Sequence, residues 1–157
     1  MTAKKNLALL VAVVFFLAGC ANQVQTNSTL AQEPPRTPSA DELCFPKKCV
    51  QIERALTAQE QSRGLMFREG ISQDDGMLFV FPNEGRRFFW MKNVSFPIDI
   101  IWVSSDKTVA GISKATPCES DPCPTYPSPE GVKYVVEVAS GFSEKNGVVI
   151  GTRVLFS

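Results

Sequence analysis

Between Arg87 and Trp102 the chain reads RFFWMKNVSFPIDIIW, the most apolar run downstream of its leader. Both strand faces of RRFFWMK are apolar, and those of PIDIIWV are nearly so. Such strands are buried on two sides, or on one side while the other lines a pocket. Any fold for this chain must therefore cover them from two directions, and RRFFWMK and PIDIIWV read as its central pair of strands. Alternation puts Arg86, Phe88, Trp90 and Lys92 on one face and Arg87, Phe89 and Met91 on the other. It puts Asp99 with Ile101 and Val103. Lys92, Asn93 and Asp99 are the anomalies of the run, because a buried charge is costly unless it is paired or used.

The surrounding sequence is also strand-rich. Val50–Ala55, Gly76–Phe81, Ile98–Val103, Thr108–Lys114, Val132–Val138 and Thr152–Phe156 read as strands, the second stopped by Pro82. Thr57 and Glu60 have the spacing of a capping box, which predicts a short helix ending near Arg63-Gly64. SGFSEKNGV predicts a helical turn closed by Asn146-Gly147. The expected fold class is mainly β (a β-rich α+β domain): a compact small barrel or sandwich with one or two short helices.

The first 19 residues carry Lys4 and Lys5, then twelve uncharged apolar residues from Leu7 to Ala18, so that Leu17-Ala18-Gly19 precede Cys20. That apolar run is too short for a span of about 20 residues but suits a signal peptide. Small residues before Cys20 resemble a bacterial lipobox, so residues 1–19 are expected to be a lipoprotein signal and Cys20 the lipid-attachment site. Two or three acyl chains give stable anchoring. Ala21 rather than aspartate follows Cys20, which points to the outer membrane if the host has two. Residues 20–43 are polar and proline-bearing, a lipidated flexible tether, and residues 44–157 have the length of one domain. Removing Lys4 and Lys5 leaves 14 basic against 16 acidic side chains, a formal charge of −2. No basic stripe is then available for nucleic acid. Membrane contact would rest on lipid alone, with the domain facing the periplasm or the exterior.

Four cysteines remain: Cys44, Cys49, Cys118 and Cys123, in the pairs CFPKKC and CESDPC. An oxidising envelope favours two disulfides, most simply Cys44–Cys49 and Cys118–Cys123. The rival is one zinc site using all four thiolates.

Five segments carry a resemblance: RGLMFRE (63–69), DDGMLFVFP (74–82), RFFWMKNVSFPIDIIWV (87–103), ATPCESDPCPTY (115–126) and VVEVASGFSEKNGVVIGTRV (135–154). In this order they resemble the domain-of-unknown-function 192 family over nearly all of 50–156. The resemblance implies a small β-rich fold, often secreted or lipid-anchored, and no activity, so no catalytic residue is carried over.

The chain has no histidine. That removes Ser-His-Asp and Cys-His nucleophilic sites and histidine-ligated metals. A hydrolase would need carboxylates, for which Asp74, Asp75, Asp99 and Glu137 are available, or a serine–lysine pair such as Ser95 and Lys92. For Asp74-Asp75-Gly76 the simpler reading is a turn, and for Glu137 an exposed strand position. Met66, Met77 and Met91 could bind a soft metal but read better as core filler. Trp90, Trp102, Tyr126 and Phe96 could stack on sugar rings or fill a core. Asp99 is expected to pair with Arg63, Arg68, Arg86 or Lys92, or else to form the floor of an apolar pocket rimmed by Lys92 and Asn93. Those residues, with Trp90, form the candidate pocket or ion-pair set. No metal and no cofactor is expected. The expected function is non-catalytic: a lipid-anchored envelope module binding a small molecule, a glycan or an envelope protein. The alternative is a histidine-free, carboxylate-based hydrolase of cell-wall or polysaccharide material.

Overall fold

The computed structural model describes residues 39–157. The signal, Cys20 and most of the tether lie outside the described residues. Eight strands follow in chain order: β1 (Glu42–Phe45), β2 (Lys48–Ala55), β3 (Asp75–Gly85), β4 (Phe88–Trp90), β5 (Ile98–Val103), β6 (Val109–Ala115), β7 (Thr125–Pro127) and β8 (Val132–Ala139). The helices are α1 (Ala58–Arg63) and α2 (Phe142–Asn146). Among the described residues six strands form one mixed sheet, ordered β1-β2-β3-β8-β5-β6, and β4 pairs with β7 in a small second sheet. Only β2 and β3 are parallel. Their connection must cross over, and α1 lies in it.

Period-two patterning explains the packing. In β5 every residue is buried, so each parity enters a different core. Ile101 and Val103 join Val50, Ile52, Leu78, Val136 and Val138 in one cluster. Phe142 of α2, Val148, Val154 and Phe156 cover that face. Ile98, Ile100 and Trp102 join Met77, Phe79 and Val135 in the other. Leu65, Met91 and Val94 cover this second face, and Phe89 packs against Phe79 and Trp102 with ring centroids 4.8 and 5.4 Å away. The result is sandwich-like and is not a closed barrel. The C-terminal segment touches β1 and the residue before β6 through single bridges, Leu155 to Cys44 and Arg153 to Thr108.

Several expectations change. RRFFWMK is not a central strand. Only Phe88–Trp90 is extended, and it lies on the sheet beside β7. β3 runs past Pro82 to Gly85, and its ladder with β8 is irregular between Val80 and Gly85, where a residue lacking N–H does little harm. Residues 152–156 form isolated bridges instead of a strand. Strands β1 and β7 were not expected.

The capping box forms. Thr57 Oγ1 accepts from the Glu60 N–H (3.2 Å), and Glu60 Oε2 accepts from the N–H groups of Thr57 (2.8 Å) and Leu56 (2.9 Å). Gln61 then ties α1 to the sheet by donating to the carbonyl of Val80 (2.9 Å). The two local disulfides are present, with Cys44 directly opposite Cys49 across the β1–β2 hairpin. With all four sulfurs joined, no thiolate remains for zinc.

Candidate functional site

Asp99 is fully buried, and among the described residues its carboxylate bonds backbone amides and no arginine. Its Oδ2 accepts from the Ser143 N–H at 2.9 Å and its Oδ1 from the Gly141 N–H at 3.2 Å. These amides open α2, whose N-cap residue, Gly141, has no side chain to offer. A β5 carboxylate therefore caps a helix more than 40 residues away, where orphan N–H groups favour negative charge. This corrects the expected ion pair and the expected pocket floor. Both expectations required side-chain partners, and the partners are backbone.

The residue expected at an exposed strand position is the one that carries a site. Glu137 of β8 is 5% exposed, and its Oε2 has no hydrogen-bond partner among the described residues. Register places it in a row across the second face: Glu53, Met77, Glu137, Ile100 and Ser113. Burial pushes its carboxyl up to about 8, against an opposing pull from Arg68. That pull is weak because Arg68 is engaged elsewhere. It holds Glu53 through a fork, with contacts of 2.5 and 2.7 Å, and its hydrogen bond lowers the Glu53 carboxyl.

Glu137 lines a hollow of about 30 Å³. Its other walls include Gly64, Leu65, Phe79, Phe89, Trp90 and Val94. Gly64 ends α1 at φ +46°, and a Cβ there would stand 3.3 Å from Phe79 Cζ and 3.7 Å from Glu137 Oε2. Glycine thus meets two needs: the positive φ and the close approach of the backbone to the Phe79 ring. Beyond it the chain turns at Phe67, which is 74% exposed with φ +65°, and whose N–H donates to the Asn93 carbonyl at 2.8 Å. A phenylalanine in this region is an outlier, and such strain concentrates at ligand sites.

Through Gln61, Ser62, Phe89 and Trp90 the hollow adjoins a wider groove of about 450 Å³, also lined by Phe81, Arg86, Arg87 and Phe88. Phe88 and Trp90 project outward, 66% and 47% exposed, while Phe89 between them packs into the core. Arg87 lies 4.0 Å over the Phe81 ring. Arg86 donates to the Ser128 carbonyl at 2.8 Å.

The sequence-derived set therefore divides. Arg63 and Trp90 line the hollow, and Arg86 and Trp90 line the groove. Arg68 is tied to Glu53. Lys92 and Asn93 line a separate hollow against the Cys118–Cys123 loop, with Lys92 3.2 Å from Asp121. The four candidate acids do not converge. Asp74 pairs with Lys48 at the surface, Asp75 accepts from Ser72, Asp99 caps α2, and Glu137 is the only acid lining hollow or groove among the described residues. Trp102 is core. Met66, Met77 and Met91 belong to the apolar cluster beneath the hollow. The signal for Glu137 was present in VVEVA, a lone acid among buried β-branched residues, the same kind of anomaly as Asp99.

Comparison with curated proteins returned no match. Solved structures share the fold, among them these two. One is a candidate transcription regulator from Sinorhizobium meliloti 1021, 32% identical, with TM-score 0.65 over 72% of this chain and 88% of that one. The other is a protein of unknown function from Novosphingobium aromaticivorans DSM 12444, 29% identical, with TM-score 0.66 over 73% of this chain and 82% of that one. The family description is that of an uncharacterized ACR and assigns no activity. Its match takes in β1, the sheet, both helices and the loop that closes over Glu137: residues 43–156 place this chain in the domain-of-unknown-function 192 family.

Proposed function

We propose that this domain is a non-catalytic binding module, held at the cell envelope by lipid on Cys20, that takes a small molecule or glycan in the groove between α1 and β4. The observation that carries the reading is the unpartnered, buried Oε2 of Glu137 beneath exposed aromatics. A buried polar atom without a partner costs about 1–3 kcal/mol, and a ligand that bonds it removes that cost. An apolar concavity with a few convergent polar groups is the usual form of a ligand site. The dispersal of the other acids disfavours the hydrolase, which needs two carboxyl groups about 5–9 Å apart.

The test uses the full chain in detergent. A thermal-shift screen of envelope glycans and metabolites is expected to give a stabilising ligand whose Kd rises at least tenfold in Trp90→Ala, with little change in the ligand-free melting temperature. Equal affinity in Trp90→Ala and Phe88→Ala, or turnover of the ligand to hydrolysed product, would overturn the reading. The anchor is tested separately. Labelled palmitate is expected to enter the wild-type chain in a bacterial host and to be lost in Cys20→Ser; label that persists there defeats it.

A further inference from the structure

Three features of the groove restrict what it can hold. The first is size. A hollow of about 30 Å³ accepts one or two water-sized groups. It admits a hydroxyl or hydroxymethyl group and excludes a planar base. The second is charge. Arg63, Arg86 and Arg87 line the hollow and groove, and Glu137 is the only acid facing them among the described residues. The Arg63 guanidinium has no hydrogen bond or ion pair among the described residues. Arg87 Nε is buried without a partner among the described residues, while another of its nitrogens donates to the Asn83 carbonyl. Guanidinium forks match carboxylate and phosphate oxygens. The third is surface. Phe88 and Trp90 offer apolar faces beside these cations, as suits a ring with both apolar and hydroxylated sides.

Building on the binding reading, we infer that the ligand is an anionic saccharide: a sugar ring lies on Trp90 and Phe88, its carboxylate or phosphate meets Arg63, Arg86 and Arg87, and one hydroxyl enters the hollow to bond Glu137. A carboxylate at the floor would oppose such a ligand. Burial removes that conflict by keeping Glu137 protonated at neutral pH, so it can donate to the hydroxyl and accept from it without adding charge. The groups facing Glu137 are few. Arg63 and Gly64 face it from the end of α1 and Arg68 from the following turn. Met77 of β3, Ile100 of β5, and Phe89 and Trp90 of β4 bring no charge. Arg68 is neutralised by Glu53 of β2.

Calorimetric titration of the full chain in detergent, at low salt, tests this with tetragalacturonate, a tetrasaccharide of galactose 6-phosphate, neutral cellotetraose and adenosine monophosphate. At least one acidic saccharide is expected to bind ten times tighter or more than cellotetraose, and which of the two binds identifies the anion. Its affinity is expected to fall about tenfold between pH 7 and pH 9, as a group titrating near 8 loses its proton. Glu137→Gln, which stays neutral, is expected to bind at pH 7 and to lose the pH dependence. Arg86→Gln with Arg87→Gln is expected to weaken the acidic saccharide and spare cellotetraose. Equal binding of cellotetraose, preference for the nucleotide, affinity that rises with pH, or a pH profile unchanged in Glu137→Gln would each overturn the inference and leave a Trp90-dependent site standing. Absence of any Trp90-dependent ligand would instead remove the binding reading itself.

Discussion

Glu137→Gln is expected to stabilise the folded chain by about 4 kcal/mol at pH 8.5 while changing it little at pH 5. The sign follows from linkage. The folded-state carboxyl titrates near 8, and its unfolded counterpart near 4.5. Between those values the folded protein binds more protons than the unfolded chain, so stability falls as pH rises. At about 1.36 kcal/mol per pKa unit the full loss is about 5 kcal/mol. It is absent below the unfolded value and complete above the folded one. Glutamine has no proton to lose, and the slope should disappear with it. Surface carboxylates act in the opposite sense and in another window. Arg68 holds Glu53 low, and Lys48 holds Asp74 low, so their contributions are lost only as pH falls through the acid range. Urea unfolding at pH 5, 7 and 8.5 reads the difference. A wild-type chain whose stability does not decline between pH 5 and 8.5 would show that the carboxyl finds a partner, and a decline that survives in Glu137→Gln would assign it to another group.

The second large effect is expected at Asp99. Asp99→Ala should cost about 2–4 kcal/mol, since it removes charge-assisted bonds to two amides and leaves the start of α2 uncapped against the core. Asp99→Asn retains one acceptor and should cost about half as much. Phe142 is fully buried just inside α2, so loosening that turn should also expose part of the first core. Denaturant midpoints of the two variants give the ranking. Ligand binding in the folded fraction should be unchanged, because Asp99 lies on the sheet face opposite the groove. Unchanged stability with lost binding would reverse the assignment.

The two acids show how far the sequence could be read. Each is a lone charge in an apolar strand, and both strands are visible from their short β-branched and apolar runs. Asp99 stands out because its neighbours are Ile98 and Ile100. Its partners do not, because an amide N–H carries no side-chain signature, and Gly141 and Ser143 follow more than 40 positions later. For Glu137 the sequence favours an exposed strand position, which holds only where a strand charge can point outward. It does not hold when a strand occupies the middle of a sheet covered on both faces, as β8 does between β3 and β5. The run RRFFWMK failed differently. Its apolarity demanded burial, and burial was achieved by laying Phe89 and Met91 onto the sheet, with Phe88 and Trp90 left outward for the groove.

Local chemistry therefore determined what local chemistry can. The period of two in β2, the unbroken apolar run of β5, the Thr57–Glu60 box, the Asn146-Gly147 stop and the short-range disulfides depend on residues only a few positions apart, so they were legible before any fold was known. The tertiary structure alone decided which strand became central, which acid was buried without a partner, and which aromatics stayed exposed. Those outcomes depend on what covers each face. Here the covering pieces, α2 on one side and the Leu65–Val94 excursion on the other, come from distant parts of the chain whose contacts no sequence period encodes.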